Sequence, residues 1–170
     1  FTPVLESIGV NDPEATQTFS KDGIYYWRVR GLTNLGEPGA WSVVRSFTLD
    51  TLAPAAPAAI APAAGSYTTT LRPTFTVGAS ATAKMYGFEV SLQEGVDFIP
   101  LWEGRSTKPS YVPSVAQELP FGQLYWRAYA EDAAGNRSSY TEEDGTPFQV
   151  SILKTPANNS FVTTLPAFTW

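Results

Sequence analysis

The chain repeats itself, out of phase with its own ends. Phe1-Thr2-Pro3-Val4-Leu5-Glu6 returns as Phe98-Ile99-Pro100-Leu101-Trp102-Glu103 at an offset of 97, and Tyr26-Trp27-Arg28 returns as Tyr125-Trp126-Arg127 at 99. A third echo, Tyr67-Thr68-Thr69-Thr70-Leu71, reappears as Phe161-Val162-Thr163-Thr164-Leu165 at 94. A period near 95 is longer than a solenoid repeat and matches a row of small domains, each with its own core. The register divides the 170 residues into the back part of one module (1–50), one complete module (51–150, with a linker at 51–57) and the front strands of a third (151–170).

Such modules need cores, and 43% hydrophobic and 14% aromatic residues supply them, which excludes disorder as the main state. A net charge of −5, with 11 Lys and Arg that never cluster, offers no basic groove to phosphates and none to an anionic membrane surface. The sequence holds no Cys and no His. Thiol nucleophiles, disulfides, the usual zinc sites and the side chain most used for proton transfer near neutrality are therefore missing. No apolar run reaches the roughly 20 residues needed to span a bilayer as a helix.

Residues 51–150 read as short strands between turns. Pro73-Thr74-Phe75-Thr76-Val77 and Tyr86-Gly87-Phe88-Glu89-Val90-Ser91-Leu92 alternate, each bounded by Gly, Ser or Pro. A run at 98–102 follows the turn Glu94-Gly95-Val96-Asp97, and Ser110-Tyr111-Val112, flanked by prolines, is expected at a sheet edge. The strongest strand is 123–131 and the last is 147–150. No apolar set recurs at helical spacing, so the expected fold is all-β: tandem antiparallel β-sandwiches. In the strong strand, alternation places Tyr25, Trp27 and Val29, and their counterparts Leu124, Trp126 and Ala128, in the core. Tyr26, Arg28 and Arg30, with Tyr125, Arg127 and Tyr129, are expected to form an outer ridge where guanidinium groups stack on rings. Trp41, aligned with Tyr140, is expected to cap a sandwich end.

The run Phe19-Ser20-Lys21-Asp22-Gly23-Ile24-Tyr25-Tyr26-Trp27-Arg28-Val29-Arg30-Gly31 resembles the E–F corner and F strand of fibronectin type III and bacterial immunoglobulin-like repeats. Glu131-Asp132-Ala133-Ala134-Gly135-Asn136 is similar to the hairpin of bacterial surface repeats, and Asp50-Thr51-Leu52-Ala53-Pro54-Ala55-Ala56-Pro57 to their inter-domain linker. The resemblance implies Ig-like or fibronectin-like sandwiches of an extracellular or cell-surface protein. It also implies a corner hydrogen bond from Tyr25 in the first copy, where the second has Leu124. Independently of any family, Pro54, Pro57 and Pro62 spaced by Ala favour an extended, semi-rigid spacer.

No cofactor is called for by the residues, but hard oxygen ligands for Ca2+ are on offer at Asp132, Asn136, Glu143 and Asp144, within reach of Glu142 and Asp50. The plainer alternative is a solvated acidic loop. Glu89, Glu94, Asp97 and Glu103 lie near one another along the strands, yet a filled sandwich offers no cleft for a glycosidase pair, and alternation puts Glu89 and Glu103 on solvated faces. Trp102, Phe121, Tyr125 and Tyr129 could form a flat platform for sugar rings. The alternative for Trp102, which replaces Leu5 of the first copy, is a core or inter-module contact. Asn136-Arg137-Ser138 and Asn158-Asn159-Ser160 are sequons in expected loops.

Trp170 aligns with Val77 and Phe1 with Phe98, so joining one copy's end to another's start would omit the counterparts of 78–97, including a central strand. The partial modules are thus expected to be completed by further chain before Phe1 and after Trp170. These features point to a structural repeat of an extracellular prokaryotic surface protein: a fibre, stalk, sheath or adhesin shaft, with no catalysis, whose partners are copies of itself or neighbouring modules. The alternative is a carbohydrate-binding accessory module of a secreted polysaccharide-active enzyme, with surface glycans as partners.

Overall fold

A computed structural model describes residues 16–151. The chain divides into two compact units, Phe1–Thr51 and Leu52–Trp170. The third partial module, apart from Ser151, lies outside the described residues.

Within the second unit, alternating apolar side chains give two sheets that close on one core. Strands β3 (Ala59–Ala61), β5 (Phe75–Val77) and β8 (Ser110–Tyr111) form a three-stranded antiparallel sheet in the order β3-β5-β8. The second sheet runs β4-β10-β9-β6-β7. Its strands are β4 (Ser66–Thr68), β6 (Met85–Ser91), β7 (Pro100–Ser106), β9 (Gly122–Glu131) and β10 (Thr146–Val150). All its pairings are antiparallel except that of β4, which runs parallel to β10. This is the expected Ig-like or fibronectin-like β-sandwich.

Phe75, Phe88, Val90, Leu124, Trp126 and Ala128 are fully buried between the sheets, the last three as alternation assigned them. Trp126 anchors the layer: its ring meets Phe75 edge-on at 5.3 Å, and its Nε1 donates to the Pro62 carbonyl at 2.9 Å. Such a bond satisfies the indole in a dry interior, where an unpaired N–H is costly.

The Pro/Ala stretch differs from its expected role as a spacer. Pro54 and Pro57 are buried, and residues 59–61 are strand β3. A proline-spaced segment can do this because β3 is an edge strand, where missing donors leave no ladder unmade. Ser110–Tyr111 lies at an edge, as expected from its flanking prolines.

The first unit, as described, contains β1 (Gly23–Trp27) and β2 (Arg45–Leu49), paired antiparallel. Their register repeats that of β9 and β10: Tyr25 faces Phe47 as Leu124 faces Phe148, and Trp27 faces Arg45 as Trp126 faces Thr146. Tyr25 donates from its hydroxyl to the Lys21 carbonyl at 2.6 Å, the corner bond implied by the family resemblance. Phe19, Tyr25 and Phe47 cluster around it with ring centroids 4.4 to 5.4 Å apart. On the same strand, Trp27 is 43% and Val29 58% exposed, where their counterparts Trp126 and Ala128 are at 0%.

Candidate functional site

The polar side chains gather on the outer face of the five-stranded sheet, around β6, β7 and β9. Cross-strand register puts Glu89 opposite both Arg127 and Glu103, and Gly87 opposite both Tyr129 and Arg105. Arg127 Nε meets Glu89 Oε2 at 2.9 Å, and Tyr140 donates to Glu89 Oε1 at 3.0 Å. Phe98 and Tyr140 hold the Arg127 guanidinium between them, at 4.0 and 3.9 Å from the ring centroids. Glu89 is therefore buried, contrary to the solvated position expected from alternation. Alternation fixes which face a side chain takes, not what later packs over it.

Tyr129 shows the same effect and corrects its assignment to an exposed sugar platform. It is buried because Gly87 leaves room for its ring, which lies where a Cβ on that glycine would stand. Its hydroxyl donates to Glu103 Oε1 at 2.7 Å, Tyr140 meets it edge-on at 5.7 Å, and Arg137 covers it at 4.5 Å. Burial, then the bond to Glu103 and that carboxylate's charge, hold the phenol protonated far above its ordinary value. Burial and the Glu89 charge raise Tyr140 likewise. Arg105 and Arg137 both pair with Glu131, so the network continues to the end of β9.

The remaining platform residues do not converge. Trp102 points the other way, toward the core, 5.7 Å from both Phe75 and Tyr111. Tyr125 is half-buried on the outer face, and Phe121, before β9, is exposed. The core or contact alternative for Trp102 is the one the packing matches, and these four residues form no common platform for a sugar ring.

The calcium candidates also separate. Asp132 Oδ1 accepts the N–H groups of Ala134 and Asn136 at 2.8 and 2.9 Å, and Oδ2 accepts Asn136 Nδ2 at 2.9 Å. Asn136, led by its side-chain amide, keeps the Asp132 carboxyl below its ordinary value. Glu143 and Asp144 are exposed beside the middle of β9, where the Glu143 carbonyl accepts Arg127 Nη1. Five residues of strand separate Arg127 from Asp132, roughly 16 Å at 3.3 Å per residue. Among the described residues no group of three or more His, Cys, Asp or Glu could hold a metal ion. Asp132 and Asn136 instead form a hairpin cap, with Gly135 at φ 92°.

The first unit keeps the frame of this outer face with other residues. Thr33 stands where Asp132 does and accepts the Glu37 N–H, with Gly36 at φ 81°. Ser42 accepts the Val29 N–H as Thr141 accepts that of Ala128. Trp41, the counterpart of Tyr140, lies under Arg28 and Arg30 at 4.2 and 4.3 Å, so it is stacked on the ridge and does not cap the sandwich end. The Arg–aromatic ridge was legible in the sequence, but the buried Glu89 at its centre was not. Its signal was Arg127 one strand away with Tyr140 behind it.

Glu89 and Glu103, side by side, are both engaged, and they open on no cleft. A shallow depression of about 300 Å3 lies elsewhere, lined by Ala59, Ile60, Ala63, Ala64, Glu142 and Pro147 among others, with one carboxylate. Among the described residues, no helix is long and apolar enough to cross a membrane.

No protein-family model matches the chain, and no curated protein is similar to it at a meaningful level. Among solved structures, the chain is similar to domains d3-d4 of the rat CD45 extracellular region, with 10% sequence identity and a TM-score of 0.42. The match covers 82% of this chain and 73% of that one.

Proposed function

We propose that this chain is a stretch of a structural array of an extracellular prokaryotic surface protein, in which sandwich modules follow one another as a fibre, stalk or adhesin shaft. The observation that carries the reading is the repetition of the β9–β10 frame in β1–β2, in the same register, with hairpin and Arg–aromatic positions in correspondence. What is repeated is scaffolding. The polar groups that would serve catalysis or recognition are spent on one another across the sheet.

Each module buries its own core, and β3 ties the Pro/Ala segment to that core, which would limit the angles between successive modules. Small-angle X-ray scattering on the native polypeptide and on pieces with increasing numbers of repeats tests this. Maximum dimension should grow in proportion to repeat number at constant cross-section. A dimension growing only as the cube root of mass would count against the array. Of its four candidate rings, the carbohydrate-module alternative retains Phe121 and Tyr125 as accessible; glycan-array binding lost on Tyr125→Ala would revive it.

A further inference from the structure

Two polar side chains of the second unit take no part in the network on the outer face. Thr146, the first residue of β10, is 5% exposed, and its Oγ1 has no hydrogen-bond partner among the described residues. Glu142, four residues earlier, is exposed and forms no ion pair among them. Both line the shallow depression of about 300 Å3 whose apolar walls include Ala59, Ile60, Ala63 and Pro147. A buried hydroxyl left unpaired costs stability until something supplies its bond. Thr146 alternates with Phe148 and Val150, both buried between the sheets, while Ala59 belongs to β3 of the opposite sheet. The depression is thus a mouth of the inter-sheet space, with Thr146 on its inner side. Strand edges flank it. β3 is outermost in its sheet, and β4 pairs with β10 only at 148–150, so residues 142–146 carry no strand on that side among the described residues. The charge around it is of one sign. Glu143 and Asp144 follow Glu142, and the Gly95 N–H donates to the Asp144 carbonyl at 3.0 Å, which brings the turn carrying Glu94 and Asp97 alongside. Arg127 reaches the Glu143 carbonyl, but its charge is held by Glu89.

We propose that this depression binds the side chain of a lysine presented by another polypeptide. The aliphatic stem lies against Ala59, Ile60, Ala63 and Pro147, and the ammonium meets the Glu142 carboxylate and donates to Thr146 Oγ1. A cation is selected because the apolar walls end in a carboxylate and an unused acceptor, within a rim of further carboxylates. The ammonium is a compact head with three donors that can serve two acceptors at different depths, as the fixed planar fork of a guanidinium cannot. The lysine comes on a polypeptide because the two strand edges offer main-chain groups to an extended segment. The site goes beyond the array reading and does not depend on it.

The test is an NMR titration of the whole isotope-labelled chain with the capped peptide Ala-Ala-Lys-Ala-Ala, and with the same peptide carrying norleucine in place of lysine. Expected are saturable shifts confined to the amides of residues 59–64 and 142–146, half-complete at about 1 mM, with the norleucine peptide at least about tenfold weaker. Glu142→Gln should weaken binding about fivefold. Thr146→Val keeps the shape and removes the hydroxyl. It should weaken binding about fivefold while leaving the melting temperature unchanged or raised, since that hydroxyl satisfies nothing in the free protein. A lower melting temperature with binding unchanged would make Thr146 a purely structural residue and overturn the proposal. So would shifts spread over all the exposed carboxylates, equal binding of the norleucine peptide, binding indifferent to Glu142→Gln, or no saturation by about 10 mM.

Discussion

Asp132 and Tyr129 each carry a proton equilibrium that the fold has displaced, and the two displacements have opposite consequences. The folded Asp132 carboxyl lies below its ordinary 3.8, so its charge stabilises the fold at neutral pH, and this contribution is lost as pH falls through the folded value. Asp132→Asn keeps an acceptor and removes the charge. The stability gap between it and the unaltered protein should be constant above about pH 5 and shrink below pH 4, read from urea midpoints at each pH. Since both Asp132 oxygens are already bonded, millimolar Ca2+ should leave the melting temperature unchanged. A rise abolished by Asp132→Asn would restore the calcium reading. Tyr129 behaves in the other sense, because its folded value lies above the ordinary 10.0. Above that pH the unfolded chain ionises first and stability declines. Tyr129→Phe should cost about 1–2 kcal/mol at neutral pH, for a lost bond to a charged acceptor, and should flatten the alkaline decline.

Elements show where sequence reading succeeds and where it stops. Strands β5, β6, β9 and β10 were legible because apolar and polar residues alternate and Gly or Pro marks their ends. Strand β3 was not, since Ala-Ile-Ala between prolines has the composition of a spacer; its place is decided by a tertiary bond from Trp126 to the Pro62 carbonyl. Strand β4 is three residues long and joins through β10, eighty residues away in sequence, so no local pattern announces it. On the outer face, the sequence identified the ridge of Arg and Tyr but not its depth. Glu89 and Tyr129 are buried by residues that reach them from other strands and loops: Phe98, Tyr140 and Arg137. Trp126→Phe keeps most of the packing and should lower stability by about 2 kcal/mol, because the Pro62 carbonyl loses its donor. The amide protons of β3 should then exchange faster than those of β6; equal protection would show that β3 is held by something else. Glu89→Ala removes the counter-charge of a nearly buried guanidinium, and a loss of about 3 kcal/mol is expected in denaturant unfolding. A loss under 1 kcal/mol would mean that Arg127 finds water instead.

At the scale of the whole molecule, the dominant feature is repetition. Two units place corresponding residues in the same register, down to the hydroxyl that accepts the N–H of Val29 or Ala128. Differences fall where they leave that frame intact: Thr33 for Asp132 at the hairpin, Trp41 for Tyr140 on the ridge, Tyr25 for Leu124 at the corner. On the proposed reading as an array, such a chain would serve spacing and bear tension, with each module unfolding by itself. Pulling single molecules of the native polypeptide from its two ends measures this directly. The account predicts a series of separate rupture events, each releasing roughly 300 Å of contour, the length of one repeat of extended chain less its folded span. A single cooperative rupture, or events with no common spacing, would contradict it.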